Sequence, residues 1–258
     1  MTKYLNILKI VLIFALTSTA IAQEEKSIEL SQEDQAEKLV GETIAAHGGV
    51  LYDTASYSFV FRGNTYSFTN TTNGYQYTMS STKKGKKIID SLENGSLQRF
   101  INQKEVVLSQ KEQDKYSQGL NSVIYFATLP HKLQDKAVIK KYTETTMIKS
   151  KKYHVIDITF QKEGGGKDYD DAFLYWINDE TKKVDYLAYM YHVNGGGVRF
   201  RSAYNTRVVD GVTFQDYINY KAAIGTPLIE LPALYENGKL KELSRIETEN
   251  IINLKTKK

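Results

Sequence analysis

The chain has 258 residues, 34 basic against 30 acidic, a formal net charge of +4, no cysteine, and 19 tyrosines. This excludes a disulfide-stapled scaffold and a thiolate metal site, and a nucleic-acid binder that works through a concentrated basic field. The length is enough for a real hydrophobic core, in one large domain or two small ones.

Lys3 and Lys9 open a positively charged start, residues 10–16 are apolar, and Ala20-Ile21-Ala22 is a small-residue cleavage site. That order is expected of an export signal over residues 1–22, with an apolar run too short for a spanning helix. Residues 23–30 read as a polar linker and 31–258 as a single domain. With no cysteine to carry a lipid, the exported protein is expected to be soluble, in the periplasm or secreted.

Ser31 opens a helix whose Ala36, Leu39, Val40, Thr43, Ile44 and His47 repeat at three- and four-residue steps. Ser31 and Asp34 resemble a capping pair, and Gly48-Gly49 ends the helix. His47 is expected to be a packed histidine. Strands follow at 55–62, 65–69, 74–80, 86–90, 96–102 and 105–108, with Asn94-Gly95 as a hairpin turn. A second helix spans 110–127, stops at Leu129-Pro130, and is the natural lid for the sheet. Strand patterns return at 135–140, 141–148 and 152–160.

Three tyrosine-rich hairpins then dominate residues 171–221. Pairing Ile177 with Val184 sets Tyr175 opposite Tyr186. A two-residue turn at Asn194-Gly195 sets Tyr189 opposite Phe200, and Asp210-Gly211 sets Tyr204 opposite Tyr217. Followed across the strands, these registers gather Leu174, Trp176, Leu187, Tyr189, Phe200, Tyr204 and Tyr217 on one face. The other collects Tyr175 with Arg199, Arg201, Asn205 and Asp216. Charges at the centre of a face are costly to bury, so the Trp176 face is expected to be the covered one. An irregular excursion bounded by Pro227 and Pro232 precedes a closing strand at 243–254. The fold class is mainly β (α+β): a curved antiparallel half-barrel of about ten or more strands with two covering helices.

No constellation identifies a reaction. His47, His131, His154 and His192 lack zinc-site spacing, and no metal or cofactor is expected. Asp168, Asp170 and Asp171 fail the EF-hand template, which would need glycine at Phe173 and glutamate at Asp179. The glycine triplets at 164–166 and 195–197 do not match a nucleotide loop. Asp185 and Asp216 sit among aromatics, as in a glycoside site, but the same placement anchors an arginine, with Arg199 and Arg201 as candidates.

The run Asn121-Ser122-Val123-Ile124-Tyr125-Phe126-Ala127-Thr128-Leu129-Pro130 is followed by Asp135 and Ala137-Val138, and further on by Tyr175-Trp176-Ile177, Asp185-Tyr186-Leu187-Ala188-Tyr189, Arg199-Phe200-Arg201 and Asp216-Tyr217-Ile218-Asn219-Tyr220. Together these look like an uncharacterised family of exported proteins from Bacteroidota. The order of helix, strands, helical plug and meander also resembles the lipoprotein-carrier superfamily of LolA and LolB type. That resemblance implies an incomplete barrel with helices over its mouth and an apolar cavity for acyl chains.

The leading expectation is a non-catalytic carrier holding a lipid or other hydrophobic small molecule. Tyr125, Phe126 and Leu129 would sit on the lid, and Trp176, Leu187, Tyr189, Phe200 and Tyr204 on the wall. An envelope hydrolase acting on a glycan or ester through Asp185 or Asp216, and a module that meets an envelope protein partner without a small ligand, are the alternatives.

Overall fold

The first helix forms as its sequence dictates. Ser31 Oγ accepts from the Asp34 amide at 3.0 Å, α1 runs Gln32–His47, and Gly48 ends it with φ of 131°, where a side chain would be strained. In the computed structural model the described residues are 30–163, 171–192 and 195–256. The expected signal, nearly all of the linker, the 164–170 loop and Asn194 lie outside them.

After a short 3-10 turn, β1 (Ser56–Phe61), β2 (Asn64–Thr71), β3 (Gly74–Lys83), β4 (Lys86–Glu93), β5 (Ser96–Ile101) and β6 (Lys104–Val106) form an antiparallel meander. Helix α2 (Gln110–Ala127) starts on a capping box between Ser109 and Glu112. A second meander follows: β7 (Val138–Ile148), β8 (Lys151–Phe160), β9 (Ala172–Asn178), β10 (Val184–Tyr191), β11 (Gly197–Val209) and β12 (Val212–Ala222). The chain then makes a short helix, α3 (Leu231–Glu236), where only an irregular excursion is expected from sequence, and closes with β13 (Lys241–Ile246) and β14 (Glu249–Asn253).

The result is two seven-stranded antiparallel sheets, ordered β14-β1-β2-β3-β4-β5-β6 and β13-β12-β11-β10-β9-β8-β7. The expected closing strand is therefore two strands. It pairs with β12, breaks at Glu247-Thr248, and continues on β1, so one chain segment edges both sheets. Tyr52 Oη donates to Thr213 O and Tyr57 Oη to Val209 O, tying the first sheet to the β11–β12 hairpin.

The expected registers of the central hairpins are each off by one. Ile177 does pair with Val184, but a bulge at Asp185 sets Tyr186 opposite Trp176 and Leu187 opposite Tyr175. Beyond the next turn Leu187 faces Arg201 and Ala188 faces Phe200, and a bulge between Tyr204 and Arg207 sets Ala203 opposite Tyr217. One extra residue in a strand moves every later side chain to the other face. Leu187, Tyr189 and Tyr217 thus share a face with Tyr175 and Arg201, while Trp176 and Phe200 share the opposite one.

Both faces are covered. The Tyr175 face meets Leu39 and Val40 of α1, Tyr125 and Phe126 at the end of α2, and Leu129 and Leu133 in the segment that follows α2. The Trp176 face meets Leu231, Leu234 and Tyr235 of α3. The expectation that the charged face stays uncovered is overturned: Arg201 lies on the face that the two long helices cover. The first sheet packs Tyr57, Phe59, Phe68 and Leu92 against Leu120 and Ile124 of α2, which places α2 against both sheets.

Candidate functional site

One row of paired residues crosses the second sheet on its inner face: Tyr142, Ile156, Tyr175, Leu187, Arg201, Asn219 and Ser244. It changes character midway. Ile156, Tyr175 and Leu187 are fully buried under the helices, and the Tyr125 and Tyr175 hydroxyls meet at 3.0 Å. Burial pushes the Tyr125 phenol up to about 12 against the opposing effect of that hydrogen bond. This half of the wall is filled by the molecule's own side chains. From Arg201 onward the row is polar and less completely filled.

A cavity of about 220 Å³ opens there, between α2, the β11–β12 half of the wall and β1. Phe59, Phe61, Val123, Phe126, Ala127 and Ile246 supply its apolar surface, and Arg62, Arg201, Gln215, Asn219, Ser122 and Thr248 its polar surface. Its volume falls below the roughly 300–1,000 Å³ of sites for drug-sized ligands, so it suits one chain or ring. No aspartate or glutamate lines it, and two arginines do.

Arg201 is the unusual member. Only 6% of it is exposed. Its guanidinium lies 3.8 Å from the Phe126 ring centre, and Nη2 donates to Tyr189 Oη at 2.9 Å. Nε and Nη1 have no acceptor, and neither does Asn219 Oδ1 have a donor. Two further arginines, by contrast, have carboxylate partners. Arg99 forks onto Asp90 with both bonds at 2.6 Å, and Arg207 reaches Asp216 at 3.0 Å. A buried cation without a carboxylate is costly unless something else compensates it.

The residues expected to line one site are divided. Tyr125, Phe126, Leu129, Leu187 and Tyr189 lie on the helix-covered face, and of these Phe126 borders the cavity. Trp176 and Phe200 are fully buried on the opposite face beneath α3, with ring centres 5.8 Å apart. Tyr204 donates to Glu247 at 2.6 Å beside the strand break. Sequence reasoning did not select Arg201, Asn219 or Gln215 as binding residues. The Arg199-Phe200-Arg201 alternation was the available signal, and the slipped register sent it to the wrong side.

Asp216 and Asp185 are engaged separately. Asp216 accepts from Asn205 Nδ2, Arg207 Nη2 and the amide and hydroxyl of Thr248. It therefore pins the point where the last strand changes sheets, with Arg207 as its arginine in place of Arg199 or Arg201. Asp185 accepts from Tyr153 and Asn178 at 3.0 Å each. His47 is fully buried, donating from Nδ1 to Thr43 O at 2.8 Å with Nε2 3.2 Å from the Gln215 amide. Desolvation holds its pKa below the ordinary value. Among the described residues no cluster of three metal-ligating side chains occurs, and no helix is long and apolar enough to cross a membrane.

One family model matches residues 6–248, that of a family of unknown function, DUF6503. No curated protein matches the chain. Among solved structures it is similar to a LolA superfamily protein from Nitrosomonas europaea, at 9% identity and a TM-score of 0.47, over 84% of this chain and 92% of that one. A domain from Vibrio parahaemolyticus named for outer membrane lipoprotein sorting gives 6% and 0.48 over 88% and 95%. A DUF1329 family protein from Desulfovibrio piger gives 10% and 0.43 over 89% and 96%. At these scores the likenesses transfer neither a ligand nor an activity.

Proposed function

The chain belongs to DUF6503, a family whose description carries no function, and from that starting point we propose that it is a non-catalytic binding protein of the cell envelope. It holds the apolar part of a small lipid or similar hydrophobic molecule between α2 and the inner face. The observation that carries this reading is the cavity of about 220 Å³, walled by Phe59, Phe61, Val123, Phe126 and Ala127. Removing a ligand's apolar surface from water there contributes roughly 25 cal/mol per Å². The filled half of the wall restricts the cargo to one chain. A carrier for several acyl chains would need the space that Leu39, Val40, Leu129 and Leu133 occupy.

The signal-like start at Lys3 to Ala22 supports export. An acid–base enzyme finds no comparable support, because Asp185 and Asp216 each hold structural partners. Native mass spectrometry of the protein, purified without detergent from the periplasm and medium of its own host, tests the reading. A chain starting at Gln23 with a small releasable adduct is expected. A protein that never carries an adduct and takes up no fluorescent fatty acid would contradict it, and would favour a module that meets a protein partner.

A further inference from the structure

Arg201 does more than border the cavity. Burying a guanidinium without a counter-charge is expensive, and breaking such a pair normally leaves a strongly destabilised fold. Here the missing partner is missing in the native arrangement. Nε and Nη1 of Arg201, a residue that lines the cavity, have no acceptor. The stacked Phe126 ring and Tyr189 hydroxyl hold the guanidinium in place without neutralising it.

The neighbouring row on the same face adds to the field. Tyr189, Arg199, Lys221 and Lys241 are successive cross-strand partners. Like charges directly opposite destabilise a sheet, and none of these three cations has an ion pair among the described residues. Lys221 and Lys241 are exposed and none of the three cations lines the cavity, so they act on it through their longer-range field. Such an arrangement raises the local concentration of an anion and its rate of entry.

We propose that Arg201 anchors the carboxylate of a single-chain amphiphile whose tail lies against Phe59, Phe61 and Val123. The inference rests on the cavity being a ligand site and names the charge of the ligand. A carboxylate fits better than a phosphate monoester, because one buried guanidinium compensates one negative charge.

Calorimetric titration with decanoate, decanol and decyl phosphate below their micelle concentrations tests this on the wild type and on Arg201→Met, alongside thermal unfolding of both proteins without ligand. The wild type is expected to bind decanoate about ten-fold or more tighter than decanol, the usual weight of a charge-assisted hydrogen bond. The Met variant should bind both alike and, free of ligand, melt no lower than wild type, because a similar-sized apolar group replaces an uncompensated charge. A purely structural arginine would instead lower the melting temperature. Arg201→Gln replaces the Met variant if that protein does not fold, with the same loss of preference expected. Equal binding of decanoate and decanol by wild type overturns the carboxylate site while leaving the apolar cavity standing. Preference for decyl phosphate overturns the single-charge assignment. Binding of none of the three overturns the cavity reading, and this proposal with it.

Discussion

Asp216 shows how one carboxylate organises the molecule's least regular point. It accepts from both polar groups of Thr248 and from Arg207 and Asn205, across the bulge in β11 and the break between β13 and β14. Removing it leaves the Arg207 guanidinium without a counter-charge and the Thr248 amide without its acceptor. Asp216→Ala is expected to cost about 3–5 kcal/mol in urea unfolding; a loss below about 1 kcal/mol would show that the break needs no such anchor. His47 makes a second prediction. Its folded pKa lies below the unfolded value of 6.5, so between the two the unfolded chain binds more protons. Stability is then fully present above pH 6.5 and falls as the pH drops toward the folded value. The urea midpoint should fall from pH 7.5 to 5.5, and His47→Gln should make that fall shallower. His131 is shifted in the same direction by burial, so the variant removes only part of the slope. An unchanged slope would contradict the assignment. The Asp179 carboxylate, held at about 2 mainly by the His154 hydrogen bond, titrates well below this range.

At the scale of elements, the two long helices were legible and the strand registers were not. Ser31 and Gly48 bound α1 through local chemistry that any sequence displays, and α2 occupies the residues its apolar stripe predicts. Bulges have no comparable signature. The extra residues at Asp185 and between Tyr204 and Arg207 are set by what each face must pack against, which is tertiary information. With the registers slipped, the rule that charges stay off covered faces pointed away from Arg201, and the polar half of the candidate site was lost while Phe126 was kept. Helix α3 was missed because six residues behind Pro227 carry too little periodicity to distinguish a helix from a loop. Its packing is nevertheless specific: the Tyr235 ring lies 5.3 Å from Phe200 and 5.7 Å from Tyr186. Leu231 is fully buried there, so Leu231→Ala should cost about 2–5 kcal/mol and shift the emission of Trp176 to the red. A cavity ligand should leave that emission unchanged, because Trp176 lies on the far side of the sheet from α2. A large emission change on ligand binding would contradict the observed division of faces.

For the whole molecule, two sheets share one terminal segment and α2 packs against both, closing the inner face except beside β11, β12 and β1. If that gap is the binding site, filling it should abolish binding without unfolding the protein. Ala127→Phe places a ring in the cavity from the α2 side, and its melting temperature should stay within a few degrees of wild type, because the added atoms enter existing space. The most direct measurement is the position of a bound chain. Intermolecular NMR contacts from uniformly carbon-13-labelled decanoate should reach Val123, Ala127 and Phe59 in the wild type and vanish in Ala127→Phe. Contacts that instead cluster on exposed apolar residues such as Val50 or Val107, and persist in the variant, would contradict a ligand site beneath α2.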